Sequence, residues 1–338
     1  MTEELRYCRV TLPEVSRTFA INIRLLAGSL RDSVTVAYLL CRAADTLEDS
    51  WPGEGLGDRF DRLAAALVGE EGAAEALAAS AQARARTNGE AADLRLVAHL
   101  PRVLRAYRGL PDEARLAVQE CVLALSSGMR RYATRTAARG RDVPYLDDEA
   151  ELDDYCWVVA GCVGVMLTKL YALTYRATDD AAQARRLELA PVVGQALQLT
   201  NILLDWPSDL RRGRCYLPAS WLKESGARPA DLVDRDRPES RALARRLEAK
   251  ALGALARVPD YVDAVPANHL RYRLFCLWPA LWALGSLRQA RRDPQFPWGP
   301  RRPKLPRVEL WRSSLASLLT ADHGAQLRRL CAAAAVVR

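Results

Sequence analysis

Apolar residues recur every three or four positions along most of the chain, and the strict alternation of half-buried strands is nearly absent. This periodicity predicts an all-α protein, and 338 residues suffice for one large domain over 1–338. The expected helices cover 28–49, 91–109, 111–135, 148–175, 180–206, 238–257, 266–292 and 308–335, with two short peripheral helices within 54–92. Five prolines and seven basic residues predict an irregular basic flap at 288–307.

Acidic residues lie one helical turn apart in two of these helices. Asn201, Asp205 and Asp209 recur every four residues, which places them along one helix face about 6 Å apart. Asp45 and Asp49 have the same spacing at the end of another helix. A solvated face is the ordinary interpretation of one such pair. Two pairs favour a site with two facing walls, in which Mg²⁺ ions hold a diphosphate.

Pro207 interrupts the second acidic cluster. It removes the amide that would bond to Leu203, so we expect the helix to kink or end near Trp206 and to displace Asp209. Three arginines follow and are interpreted either as a surface run or as groups that neutralise a leaving diphosphate: Arg211, Arg212 and Arg214.

Two glycines, Gly161 and Gly164, lie inside the helix predicted at 148–175. Each costs about 1 kcal/mol relative to alanine, so a neighbour is expected to pack closely there. Either a second helix or the apolar tail of a substrate would satisfy this expectation. The apolar run at 156–168 is shorter than the roughly 20 residues of a membrane span.

The formal charge of +8 comes almost wholly from arginine, which favours phosphate-bearing small molecules or an anionic membrane surface as partners. No nucleic-acid-binding motif is present, so no nucleic acid partner is expected. The eight cysteines include no CxxC pair, and the first residues do not resemble a signal peptide. We therefore expect a cytoplasmic monomer, with peripheral contact to the inner membrane face.

Four stretches match one family in the order of the chain, and two more match it loosely. The close matches are SRTF (16–19), YLLCRAADTLED (38–49), YCWVVAGCVG (155–164) and QLTNILLDWPSDLRRGRCYLP (198–218); the loose ones are FCLWPALWA (275–283) and KLPR (304–307). On these stretches the chain resembles the squalene/phytoene synthase family, and most of all its squalene-forming members. The resemblance implies the all-α isoprenoid synthase bundle, with a central apolar cavity between the two acidic helices.

The resemblance also implies a reaction, the head-to-head condensation of two farnesyl diphosphates to presqualene diphosphate, followed by reduction to squalene. It implies Mg²⁺ and NADPH as cofactors. The implied metal ligands are Asp45, Glu48, Asp49, Asn201, Asp205 and Asp209. The implied substrate contacts are Ser16, Arg17, Phe19, Arg42, Gln198, Asn201 and Arg214. Tyr155 matches the tyrosine that removes a proton on ring closure, Tyr38 lies near it in the family, and Lys304 and Arg307 would contact NADPH.

Two residues depart from the family pattern: Leu204 stands where Arg is frequent, and Ser208 stands where Glu is common. Three alternatives stay open. A sister synthase would form phytoene, dehydrosqualene or hydroxysqualene. A class I terpene cyclase would share the NxxxDxxxD pattern. A non-catalytic assembly factor of the same family would have lost its acidic motifs, whereas both motifs of this chain keep their outer aspartates.

Overall fold

The computed structural model describes residues 2–51, 53–88, 91–139, 143–176, 179–318 and 323–335. Within these ranges the regular structure is helical and contains no strand, which confirms the all-α prediction. All eight cysteines are free. The chain forms two compact units, one of Met1–Ala137 with Val165–Asp179 and one of Ala138–Gly164 with Asp180–Arg338. A single domain over 1–338 stays a prediction.

The first unit is organised around the helix α3. Its helices are α1 (Glu3–Val15), α2 (Arg17–Ile23), α3 (Gly28–Asp49), α4 (Leu56–Val68), α5 (Ala73–Asn88), α6 (Ala92–Ala98), α7 (Leu100–Arg108) and α8 (Asp112–Arg139), the last of which ends beyond the unit boundary. Helix α3 contacts α1, α2, α4, α6 and α7. Its apolar residues are fully buried, Leu30, Leu39, Leu40 and Leu47 among them, so packing holds this helix in place.

The second unit is organised around α11 (Asp180–Arg211). Its other helices are α9 (Glu149–Cys156), a π-helical segment (Trp157–Gly161), the start of α10 (Cys162–Tyr175), α12 (Ala219–Ser225), α13 (Pro238–Leu255), α14 (Val258–Asp263), α15 (Leu270–Arg292), α16 (Arg307–Leu318) and α17 (His323–Ala335). Helix α11 contacts α9, the π-helical segment, α13, α14 and α15. Each unit is therefore built around the helix that carries one acidic cluster.

Close backbone contact joins α11 to the chain around the π-helical segment. A Cβ atom on Gly164 would lie 2.2 Å from the carbonyl oxygen of Ala190, and one on Gly194 would lie 2.2 Å from that of Ala160. Both positions lack room for any side chain. The neighbour that the sequence leaves undecided at Gly164 is therefore a helix, α11, and not a substrate tail.

Several predicted boundaries are wrong. The helix expected at 91–109 is two helices, because the chain leaves helical geometry at His99. The helix expected at 308–335 is also two, α16 and α17, with 319–322 outside the described residues. Residues 288–292 of the predicted flap belong to α15, and Arg307 begins α16. The irregular part of the flap is thus 293–306, and it includes a turn at 294–298.

Pro207 does not end its helix. Helix α11 continues through this residue to Arg211, and Pro207 is buried. The Ser208 hydroxyl donates a hydrogen bond of 2.8 Å to the carbonyl of Asp205, while Arg211 donates one of 2.8 Å to the carbonyl of Pro207. Side chains thus supply hydrogen bonds around the turn in which proline has no amide to offer.

Two stretches of the described chain, Glu149–Tyr175 and Asp180–Arg211, are long and apolar enough to cross a membrane by length and composition. Core helices of proteins without a membrane have the same properties. Both stretches carry residues of the acidic or aromatic motifs.

We expect Gly164→Ala to destabilise the protein by about 1–3 kcal/mol, because the new Cβ would collide with the backbone of α11. The matched control is Gly253→Ala in α13, where no atom lies within 4 Å of the ideal Cβ and the change is expected to stabilise by up to about 1 kcal/mol. Urea unfolding of the two variants measures both effects. Equal stabilities would contradict the close contact.

Candidate functional site

One group of candidate residues forms a polar stripe on α3. Tyr38, Arg42, Asp45 and Asp49 follow one another at steps of four, three and four residues, so they share one face of the helix. Tyr38, Arg42 and Asp45 are half-buried and Asp49 is exposed, whereas most of the surrounding helix is buried. Glu48, the other predicted ligand on α3, is 9% exposed.

The surroundings of Asp45 disfavour the ionised form of its carboxyl group. Burial raises the pKa of this carboxyl to about 7, Asp49 and Asp93 add repulsion, and Arg42 partly offsets the shift. The acidic residues also occupy the last two turns of α3, where the helix dipole disfavours negative charge and the last turn contains no basic residue. Because 39% of the Asp45 side chain remains exposed, a cation from solvent can reach it.

Arg42 is held in position by a residue that the sequence analysis missed. Its Nε and Nη2 atoms donate to the two carboxylate oxygens of Asp93 on α6, at 3.2 and 2.9 Å. This two-point contact orients the guanidinium and leaves Nη1 3.9 Å from Asp45. Asp93 stands in the first turn of a short helix, a position common for any acidic residue, so its spacing gives no signal of this role.

The SRTF stretch lies beside the same stripe. Ser16 caps α2, and its hydroxyl accepts a hydrogen bond of 3.3 Å from the Phe19 amide. The ring of Phe19 lies 5.7 Å from the ring of Tyr38, and burial raises the pKa of the Tyr38 phenol. Ser16 and Phe19 thus adjoin Tyr38. Arg17 begins α2, and its side chain lies outside the described residues.

A second group of candidate residues is on α11, in the other unit. Arg302, from the irregular segment 293–306, contacts two of the predicted ligands at once. Its Nη1 atom lies 2.8 Å from Asp205 Oδ1, and its Nη2 atom donates to Asn201 Oδ1 at 3.4 Å. The oxygens of Asn201 and Asp205 therefore converge on one positively charged group. The basic composition of the flap predicts such a residue in general, but it does not identify which arginine.

Asp209 and Arg214 lie at the end of α11. The carbonyl of Asp209 accepts hydrogen bonds from the amides of Arg212 and Arg214, at 3.0 and 2.8 Å. Gly213, with φ of 76°, permits this left-handed turn. The turn ties Arg214 to the end of the helix that carries Asp209, and the Arg214 side chain is half-buried there.

Arg211 connects the end of α11 to the segment that carries Arg302. It contacts Asp234 at 2.6 Å and donates to the carbonyls of Trp298 and Gly299 at 2.8 and 3.1 Å. These contacts fasten the segment that carries Arg302 to the end of α11. Leu204 is 3% exposed and packs in the core.

Tyr155 belongs to an aromatic cluster that the sequence analysis did not predict. Its ring lies 5.1 Å from that of Tyr216, which lies 4.9 Å from that of Tyr145. Tyr155 and Tyr145 are buried, and the Tyr145 amide donates to the carbonyl of Cys215 at 2.8 Å. The chain directly after Arg214 thus packs against the predicted catalytic tyrosine. Only the tertiary structure brings these three tyrosines together, since they are distant in sequence.

The remaining predicted residues are more dispersed. Gln198 is half-buried on α11, one turn before Asn201, and Lys304 and Arg307 are exposed. In the described ranges no three histidine, cysteine, aspartate or glutamate side chains converge as a preformed metal cluster. Mg²⁺ commonly takes only one or two carboxylates and completes its shell with water and substrate phosphates. Within one unit the shared cation position at Asn201 and Asp205 fits such an ion, and within the other unit the crowded charge at Asp45 does so separately.

Known proteins share both sequence and fold with this chain. Residues 12–309 match the family described as squalene/phytoene synthase. The chain is 29% identical to the phytoene synthase of Pseudescherichia vulneris over 295 residues, which is 86% of this chain and 80% of that protein. It is 26% identical to the squalene synthase of Homo sapiens over 292 residues, 85% of this chain and 64% of that protein. The chain thus matches less than two thirds of the human protein's length.

A solved ligand complex of TcSQS has the same fold. It superimposes with a TM-score of 0.72 at 24% identity, and the match covers 98% of each chain. At this identity the likeness concerns the fold, and it confirms the predicted all-helical isoprenoid synthase architecture. The meeting of the two acidic helices across one apolar cavity stays a prediction.

If the Arg302 guanidinium occupies the place of a metal ion, removal of its charge should favour metal binding. We expect Arg302→Gln to bind Mn²⁺ about two- to fivefold more tightly, because a partly exposed ion pair contributes up to about 1 kcal/mol. Arg301→Gln is the matched control, since Arg301 is an exposed neighbour without a carboxylate partner among the described residues. Calorimetric titration with Mn²⁺ makes the comparison. Unchanged affinity in Arg302→Gln would contradict the shared position.

Proposed function

The chain belongs to the squalene/phytoene synthase family, and from this premise we propose that it is a squalene-forming enzyme. In the proposed reaction two farnesyl diphosphates condense head to head to presqualene diphosphate, which NADPH then reduces to squalene. The family acts on prenyl diphosphates, so the coarse reaction class, transfer of a prenyl group, follows from membership. The choice of farnesyl diphosphate and of squalene is the proposal.

The observation that carries the proposal is the convergence of Asn201 and Asp205 on one cation. Their oxygens meet the same guanidinium, so they can also meet the same metal ion. Asp45 gives independent support, because burial and neighbouring acids leave its carboxylate in need of a counter-charge.

We propose that Asp45, Glu48 and Asp49 hold Mg²⁺ on one diphosphate, while Asn201, Asp205 and Asp209 hold it on the other. Bound Mg²⁺ supplies Lewis-acid catalysis by stabilising the charge of the leaving diphosphate. Of these residues Glu48 fits least well, because it is nearly buried. It can reach a metal ion only if its side chain turns outward.

The charged side chains of the chain bind and orient the diphosphates in this proposal. Arg42, fixed by its contact with Asp93, presents its free edge beside Asp45, where an incoming phosphate would lie. Arg214 is proposed to contact a diphosphate at the end of α11, where its backbone amide donates to the carbonyl of Asp209. Arg17, Ser16, Phe19 and Gln198 remain proposed substrate contacts on the grounds of the motif.

Tyr155 is proposed to relay the proton that leaves when the cyclopropane ring closes: its oxygen takes up this proton while its own hydroxyl proton passes to the departed diphosphate. Its burial against Tyr216 supports this role, because an aromatic surrounding excludes water from a carbocation. Tyr38 is proposed to assist on the α3 side. Ring packing fixes both tyrosines, so neither phenol has to be ordered during the reaction.

NADPH binding by Lys304 and Arg307 is proposed on weaker grounds. Both side chains are exposed and have no carboxylate partner among the described residues, which leaves them available for a nucleotide phosphate. The chain contains no glycine-rich dinucleotide loop, so the phosphates would have to be bound by side chains.

A phytoene-forming activity is the second candidate. It is favoured by one observation, the 29% identity to the phytoene synthase of Pseudescherichia vulneris over 80% of that protein. That enzyme class joins two C20 diphosphates, so substrate length and the requirement for a reductant distinguish the two candidates.

We expect Asp45→Asn and Asp205→Asn each to lower turnover of farnesyl diphosphate by about 10²-fold or more, because each removes a charge that holds the metal ion. The control is Asp58→Asn on α4, an exposed acidic residue outside both motifs. Far-UV circular dichroism should show unchanged helicity in all three variants. Turnover like that of the wild type in either motif variant would refute its assigned metal role.

Product analysis tests the reaction itself. Incubation with farnesyl diphosphate, Mg²⁺ and NADPH should give squalene, and omission of NADPH should leave presqualene diphosphate, both detected by mass spectrometry. Parallel incubations with geranylgeranyl diphosphate test the sister activity. Squalene formed at full rate without a nicotinamide would contradict the proposed reduction, and a C40 product alone would establish the second candidate.

A further inference from the structure

Helix α16 presents its polar side to the protein interior. Ser314 and Ser317 are 1% and 0% exposed, and they accept hydrogen bonds from the indole N–H groups of Trp282 and Trp278 on α15, at 3.1 and 3.0 Å. A buried indole N–H needs a hydrogen-bond acceptor, and each of the two serines supplies one. The inward face of α16 therefore provides the hydroxyl groups that the two indoles require.

The outward face of α16 is apolar. Val308, Trp311, Leu315 and Leu318 are 68%, 54%, 60% and 44% exposed. At about 100° per residue these four side chains lie within a sector of about 80°. They form a continuous apolar stripe, which we call the α16 stripe. Soluble helices normally bury such a stripe, and here the two serines hold it toward solvent.

Positive charge borders the α16 stripe on both sides. Arg307 and Arg312 flank the sector on the helical wheel, and both side chains are exposed. Between 301 and 318 the sequence contains one acidic residue, Glu309, and its carboxylate contacts Arg288 and Gln289 on α15, at 3.2 and 3.3 Å. The outward side of α16 thus combines apolar residues with arginines that have no carboxylate partner in the part of the chain that the structure describes.

We propose that the α16 stripe docks the protein on the surface of an anionic lipid bilayer. The helix lies parallel to the membrane, with the four apolar side chains at the depth of the headgroups and upper acyl chains and the arginines against lipid phosphates. Trp311 sits at the interface, where its amphipathic ring is favoured. This proposal does not depend on the reaction that the protein catalyses.

A lipid surface fits this face better than a protein partner does. A second copy of the chain would bring its own Arg307 and Arg312 to the same interface, where like charges repel. A stable protein interface also uses about 20–30 residues a side, many more than one helix of 12 residues offers. An anionic membrane needs only an apolar stripe with a basic border.

Vesicle flotation of the full chain tests the apolar part of the proposal. The wild type should bind vesicles of phosphatidylcholine mixed with phosphatidylserine, and Trp311→Ser/Leu315→Ser should bind about tenfold more weakly or worse. The matched control is Val10→Ser/Leu116→Ser, which removes two apolar side chains that are 60% and 56% exposed on α1 and α8. This control should bind like the wild type.

A charge reversal tests the second part. Arg312→Glu should lose most of the binding to vesicles that contain phosphatidylserine, and added salt should weaken binding of the wild type. The control is Arg62→Glu, an exposed residue on α4. Arg307 is left unchanged because the proposed NADPH contact uses it. All variants should retain the circular dichroism and Tm of the wild type, since every altered side chain is exposed.

Three results would overturn the proposal. One is failure of the wild type to bind phosphatidylserine vesicles, and another is equal binding by Trp311→Ser/Leu315→Ser and its control. The third is a lipid-free dimer of the wild type that Trp311→Ser/Leu315→Ser converts to monomer in analytical ultracentrifugation, which would assign the stripe to a second copy.

Discussion

Negative charge near the C-terminal end of a helix is unfavourable, and this chain places such charge in the last two turns of α3 and of α11. Each negative charge at such a position lowers the stability of the helix by about 0.3–1 kcal/mol unless a nearby cation compensates for it. On α11 the compensation is visible, because Arg302 contacts Asp205 and Arg211 stands in the last turn. On α3 Arg42 compensates in part, and it is shared with Asp93. Both helices tolerate this charge because each is the central, buried helix of its unit, so packing energy unrelated to the site holds the carboxylates in place.

Side-chain size decides how precisely α11 is held. Gly164 and Gly194 let two backbones approach within contact distance of each other's carbonyl groups, which leaves α11 no freedom to shift toward that neighbour. Gln195 adds a hydrogen bond of 3.1 Å to the carbonyl of Asp153 on α9. Asn201 and Asp205 follow within three turns, on the same rigid helix. The position of polar groups that would bind a metal ion is therefore fixed by residues that carry no charge.

Periodicity was enough to predict the helices that carry the site, since α3 and the start of α11 lie where apolar spacing places them. It could not predict that α11 passes through Pro207, because the compensating bonds from Ser208 and Arg211 depend on local geometry. Spacing within one helix placed Asp45 and Asp49 together. Contacts between distant segments could not be predicted, because no periodicity in the sequence relates the two partners. They are those of Asp93 with Arg42, Arg302 with Asp205, and Tyr216 with Tyr155. The family resemblance implied a role for each residue, and the tertiary structure showed which side chains contact it.

The π-helical segment at Trp157–Gly161 has a consequence for how this region tolerates change in length. A turn of π-helix holds one residue more than the α-helical turn it replaces, and because it still closes one full turn, the helix on either side keeps nearly the same angular phase. Deletion of one residue between 157 and 161 would therefore let this turn become α-helical without turning Tyr155 far around the axis with respect to Gly164. Tyr155 would stay beside the ring of Tyr216, and Gly164 would keep its contact with Ala190. The wide turn thus makes this stretch tolerant of the loss of one residue, although close contacts fix both of its ends.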